Sequence, residues 1–105
     1  MARFDVYKNP GSHGKTTPYL LDVQSNLLDG LDSRMVIPLR SLRDFPQVKL
    51  ATQLTPIFKI SGKDYLLETQ KMGAVPQRIL KSPVTSLIQS QAEIISALDF
   101  LFQGY

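Results

Sequence analysis

The chain holds a single histidine, His13, and no cysteine, so thiolate catalysis, disulfides and Cys/His metal spacings are all missing from it. His13 stands in the run Asn9-Pro10-Gly11-Ser12-His13-Gly14, among small polar residues with no acid close in sequence, where an imidazole reads as a loop residue rather than a general base. Asp29 and Asp32 flank Gly30; in a turn such carboxylates bond nearby backbone amides, a role that outweighs metal ligation. Arg34, Arg40 and Arg43 could face a phosphodiester, but cleavage would also need an acid or a histidine converging with them, and no such constellation is visible in the sequence. There is no phosphate-binding glycine loop and no nucleophile elbow. The residue types point to a protein that acts by binding, with no cofactor, no metal and no catalytic residue.

A binding protein needs an element that presents its contacts, and residues 82–105 read as one long amphipathic helix that reaches the final residue. Ser82-Pro83 supplies an N-cap oxygen and the residue best tolerated at the first helical position. Val84, Leu87, Ile88, Ile94, Ile95, Leu98, Leu101 and Phe102 share one face at 3.6-residue spacing, interrupted by Gln91. Gln89, Glu93, Ser96, Asp99 and Gln103 occupy the other, with Phe100 projecting into the polar strip. Gly104 suits the C′ position, where positive φ is common, and would turn the chain to present Tyr105.

The preceding residues 1–81 read as short strands. Phe4–Tyr7 alternates, residues 9–14 form an exposed loop, Tyr19–Gln24 resumes strand character and Asp29-Gly30 marks a turn. Arg34–Leu39 is a near-continuous apolar run of the kind covered on both faces, and Pro38 should lie near its end. A helical turn is expected at Ser41–Phe45, stopped by Pro46. Pro56–Ile60 and Tyr65–Thr69 flank the hairpin connection Ser61-Gly62-Lys63-Asp64, and a last strand covers about Gly73–Ile79, confined to an edge or a bulge by Pro76. The fold class is therefore mainly β with a C-terminal helix: one domain, residues 1–105, built on a small, bent antiparallel sheet or barrel.

At 105 residues and 43% apolar content, one modest core is available and a dimer interface would reinforce it. Met1-Ala2-Arg3-Phe4 lacks the apolar region of a leader, and no apolar run approaches the roughly 20 residues of a membrane span; a cytoplasmic protein is expected. The net charge is +3, but residues 82–105 carry Glu93 and Asp99 and no Lys or Arg, leaving −2 on the helix and +5 on the remainder. A helix of that sign does not enter a DNA groove, so no nucleic-acid readout is expected. The basic residues are spaced singly between acids, the pattern of a solvated surface.

Several blocks resemble the CcdB toxins of bacterial toxin–antitoxin modules: Phe4-Asp5-Val6-Tyr7, Asp22-Val23-Gln24-Ser25-Asn26-Leu27-Leu28-Asp29, Arg34-Met35-Val36-Ile37-Pro38-Leu39, Met72-Gly73-Ala74-Val75-Pro76 and the ending Phe102-Gln103-Gly104-Tyr105. They fall in order with similar spacing over essentially the whole chain. The resemblance implies an SH3-like barrel with a C-terminal helix, a homodimer, and a poison that binds the A subunit of DNA gyrase and traps the enzyme with its DNA cleaved. It also implies a CcdA-like antitoxin whose tail folds on binding, and a place in plasmid maintenance or stress response. The family's gyrase-contacting positions match Ser25, Leu27, Ser96, Asp99, Gln103, Gly104 and Tyr105, while Leu98, Leu101 and Phe102 match barrel and dimer packing. The Pro10–Thr17 loop and Tyr65 are candidate antitoxin contacts. One departure stands out, because Gln103 replaces the tip tryptophan of the best-known plasmid toxin and Tyr105 its isoleucine. Loss of an aromatic hot spot costs on the order of 2 kcal/mol of binding, so a homologue with weakened poisoning is one alternative. The other is an SH3-like-barrel endoribonuclease toxin.

Overall fold

A computed structural model describes residues 2–44 and 52–104. Seven strands are formed among these residues: β1 (Asp5–Lys8), β2 (Tyr19–Asp22), β3 (Ser33–Ser41), β4 (Ile57–Ile60), β5 (Lys63–Leu67), β6 (Gly73–Pro76) and β7 (Thr85–Ser86), followed by the helix α1 (Gln91–Gln103). All pairings are antiparallel, in the spatial order β4-β5-β3-β2-β1-β7 with β6 also on β3, and the sheet curls into a nearly closed barrel of the small SH3-like kind.

The long strand β3 organises this sheet because it changes partner along one flank. Ser33–Val36 pairs with β6 and Leu39–Ser41 with β5, while Val36–Leu39 pairs with β2 on the other side. Pro38 falls inside the strand rather than near its end, in the gap between the two partners on that flank. A missing N–H is harmless there, and the Pro38 carbonyl still accepts from Glu68 N at 3.0 Å. The apolar runs of β1, β2 and β3 are explained by burial on both faces. Val6, Leu21 and Ile37 enter the main core with Phe4, Leu39, Phe58, Ile60, Leu67 and Ile94. Their neighbours Tyr7, Leu20 and Val36 enter a second cluster closed by Leu80, where burial pushes the Tyr7 phenol up to about 12. The β4–β5 hairpin turns through Ser61 (φ 53°) and Gly62 (φ 80°), the two positive-φ residues of a type I′ connection.

The start of the helix and the extent of the last expected strand need correction. The helix starts at Gln91, not at Ser82, so Gln91 opens the helix rather than interrupting an apolar face. Thr85–Ser86 is a strand, β7, because the outer edge of β1 needs partners: on either side of it Val84 N donates to Val6 O and Leu87 N to Phe4 O, each at 2.8 Å. Val84 and Thr85 are β-branched and suit this edge, and Ser82-Pro83 therefore caps nothing helical. The strand expected over Gly73–Ile79 is β6, which stops at Pro76 and gives way to a single tight turn at Gln77–Ile79, and it is not the last, since β7 follows. Leu42–Asp44 forms a helical turn as expected, while Phe45 and Pro46 lie outside the described residues. No helix among the described residues is long and apolar enough to cross a membrane.

Candidate functional site

Helix α1 lies on the barrel through Ile94 and Ala97, both without exposed surface, with Leu98 packed against the same core. Ala97 fixes the rotation, since its small side chain lets the helix axis approach closely and centres the buried stripe on positions 94, 97, 98 and 101 at about 100° per residue. That places Phe100 half-buried at one margin of the stripe rather than out in the polar strip. Phe102 lies at the other margin and is 69% exposed. Of the three expected packing residues, Leu98 and Leu101 are half-buried and Phe102 is left mostly exposed by the barrel. Ile95, one two-turn step below Phe102, is also exposed, so the helix carries an apolar edge that its own barrel leaves uncovered.

Ser96 and Asp99 sit on the solvent face, and Gln103 and Gly104 close the helix, all exposed. Gly104 adopts φ 81° and its N–H donates to Phe100 O at 2.9 Å, the αL cap anticipated for this position. Ser96 borders a shallow groove of about 320 Å³ with Ala92 and Glu93 against Thr52, Gln53 and Pro56. Tyr105 lies outside the described residues.

Ser25 and Leu27 stand on a different element, the connection between β2 and β3. Ser25 Oγ accepts from Leu27 N at 3.2 Å and starts a tight turn at Asn26–Leu28. This turn holds Leu27 out into solvent, 95% exposed, beside exposed Leu28 and Leu31. Leu28 and Leu31 were missed in the sequence, although a Leu-Leu pair inside a turn, where no strand or helix face can bury both, was a readable signal.

Arg34 is entirely buried, against the expectation of singly solvated basic residues and against its candidacy as an RNA-facing arginine. Its Nε donates to Asp22 Oδ2 at 2.8 Å, its Nη2 is ion-paired with the same oxygen at 2.7 Å, and its Nη1 donates to Asp29 Oδ1 at 2.8 Å. Burial alone would lower the Arg34 pKa, but the Asp22 and Asp29 carboxylates outweigh it and hold the guanidinium charged. Burial pushes the Asp22 carboxyl up, although Arg34 and the Gln24 amide both pull it down. Asp29 is thus an ion-pair partner as well as a turn residue. Tyr65 is a core residue, edge-on to Tyr19 at 5.1 Å between ring centroids, which removes most of its ring from antitoxin contact.

A groove of about 550 Å³ brings His13 and Arg40 together with Glu68 and Lys71. The sequence concealed this convergence, which depends on the barrel closing the exposed loop over β3. Within it Glu68 is nearly buried and ion-paired with Lys71 at 3.3 Å. Among the described residues no group of three or more His, Cys, Asp or Glu is placed to hold a metal ion.

Compared with protein-family models, the chain matches the one described as CcdB protein over residues 3–104.

Proposed function

Because the chain belongs to the CcdB family, whose members are toxin–antitoxin toxins directed at DNA gyrase, we propose that it binds the gyrase A subunit and traps the gyrase–DNA cleavage complex. The observation that carries this reading is the match over nearly the full chain, since the exposed tip and loop name no partner by themselves. The contacts are assigned to Ser96, Asp99, Gln103, Gly104 and Tyr105 on the helix end and to Ser25 and Leu27 on the β2–β3 connection. Such a protein works by differential binding and needs no catalytic residue. In this reading it acts in the cytoplasm and is neutralised by a CcdA-like antitoxin, with the exposed Pro10–Thr17 loop as the antitoxin's foothold. The test is a gyrase assay with purified components: no binding to a fragment of the A-subunit arm, together with no accumulation of cleaved DNA, removes the poison reading.

Gln103 gives this reading a direct probe. An amide offers hydrogen bonds but little stacking area, whereas an indole on an exposed helix end supplies the apolar area typical of a hot spot. Gln103→Trp is expected to tighten binding to the A-subunit arm fragment by on the order of tenfold to thirtyfold, about 1.4–2 kcal/mol, measured by calorimetry. Unchanged affinity would show that residue 103 lies outside the contact.

The uncovered apolar edge of α1 is assigned to a homodimer. A second copy related by a two-fold axis would bury Phe102 and Ile95 and set two tips side by side for a two-fold target. Phe102→Asp is expected to convert the protein to monomers in sedimentation velocity, with the barrel's circular dichroism preserved; a persistent dimer would place the interface elsewhere.

The endoribonuclease reading draws on one observation, the convergence of His13, Arg40 and Glu68 on a single groove. Such activity would appear as cleavage of single-stranded RNA that is lost in Arg40→Ala and kept when residues 103–105 are removed.

A further inference from the structure

An almost fully exposed leucine is held in place only if its backbone is held, because a mobile loop would fold Leu27 onto nearby apolar surface. The connection between β2 and β3 is tied throughout its length. Asp22 Oδ1 accepts from Gln24 N at 3.0 Å, Gln24 Oε1 accepts from Met35 N at 3.0 Å, and Gln24 Nε2 donates to Leu28 O at 3.2 Å. Asn26 Oδ1 accepts from Arg3 N at 2.8 Å. At the centre is Arg34, which grips Asp22, at the end of β2, and Asp29, just past the Asn26–Leu28 turn, with one guanidinium.

The two arms of this grip differ in kind. Asp22 is buried with Arg34 inside the sheet, so that arm belongs to the fold. The Asp29 side chain is 56% exposed and reaches the fully buried guanidinium from the far side of the turn. Asp29 lies outside the strands and the core clusters, and besides adding to the charge that holds Arg34 it fixes the path of residues 25–29 and hence the direction of Leu27 and Leu28. We propose that Asp29 is a positioning residue for partner binding: its ion pair with the buried Arg34 locks the Ser25–Leu28 turn in the shape that presents Leu27 to the gyrase A subunit. This inference rests on the gyrase reading for the identity of the partner, and on geometry alone for the lock.

Pre-organisation of this sort strengthens binding by removing the ordering cost at the interface. The experiment combines amide hydrogen exchange by NMR on the full chain with binding to a purified A-subunit arm fragment, for wild type, Asp29→Ala, Asp29→Asn, Leu27→Ala and the Asp29→Ala/Leu27→Ala double variant. Asp29→Ala should leave the exchange of the β3 amides unchanged while raising it at least tenfold at Leu27, Leu28 and Leu31. Binding should weaken about tenfold, with Asp29→Asn intermediate. The double variant should lose clearly less than the sum of the two single losses, because the lock can no longer present Leu27 once it is truncated. Unchanged exchange in the turn, or additive losses in the double variant, would overturn the positioning role. A wild-type protein that binds no arm fragment overturns the gyrase reading instead, and the exchange data then decide the lock separately.

Discussion

Arg34→Met is expected to cost about 3–5 kcal/mol of stability, the penalty for leaving a buried charge without its partner. The methionine fills much of the arginine's volume with apolar atoms, so the loss comes from electrostatics rather than from a cavity. Asp22 loses its guanidinium while having no exposed surface of its own, and burial is already the largest influence on its carboxyl, pushing it up. In the variant that upward push is unopposed by Arg34. A carboxyl whose folded pKa is raised favours the fold where it is protonated and loses that contribution as pH rises through the folded value. The deficit of Arg34→Met should therefore be larger at pH 8 than at pH 5, as measured by urea denaturation at one fixed protein concentration, since dimerisation would otherwise shift the midpoint. Replacing both partners, Arg34→Met with Asp22→Leu, should recover most of the loss, because an apolar pair of similar volume carries no desolvation penalty. A single variant as stable as the double would show that the pair is not the source of the effect.

The same pair shows what could be read in the sequence and what could not. Strand positions were legible wherever apolar alternation met a turn former, as at Asp29-Gly30 and at Ser61-Gly62, where the hairpin geometry follows from a glycine at the second turn position. Asp22 and Arg34 were legible in principle, since each is a charge inside an apolar strand run and the signs are opposite. Counting basic residues as a solvated surface hid that signal. The start of the helix was not legible. Ser82-Pro83 is a sound local cap, but the edge of β1 lies far away in sequence and its demand for backbone partners at Phe4 and Val6 wins. The helix rotation was misjudged for a related reason: Ala97 adds little to an apolar count, yet its small size decides which face approaches the barrel. The site residues were recognisable only through their likeness to family positions, because Ser, Asp and Gln on a solvent face carry no chemistry that announces a partner. The groove shared by His13 and Arg40 depended on barrel closure, which no local pattern encodes.

Helix rotation leads to the second large effect. Ile94→Ala is expected to cost about 2–5 kcal/mol, whereas Ile95→Ala, one residue on, should cost under about 1 kcal/mol in the barrel itself. Ile94 has no exposed surface and joins the main core, while Ile95 is 37% exposed on the uncovered edge. The consequence reaches beyond global stability. A helix of 13 residues is marginal in water without tertiary support, and Ser90 at its start makes no side-chain cap hydrogen bond. Its order therefore comes from the Ile94–Ala97–Leu98 contact, and weakening that contact should free the helix before the barrel melts. Amide exchange should rise throughout residues 94–103 in Ile94→Ala at denaturant concentrations where β2 and β3 stay protected. In the gyrase reading the same variant should lose more arm binding than Ser96→Ala, although Ile94 touches no partner, because the tip at Gln103 and Gly104 is positioned through this anchor. Equal effects of the Ile94 and Ile95 variants on barrel stability would mean that the helix packs in a different rotation, and the assignment of Ser96 and Asp99 to the outward face would fall with it.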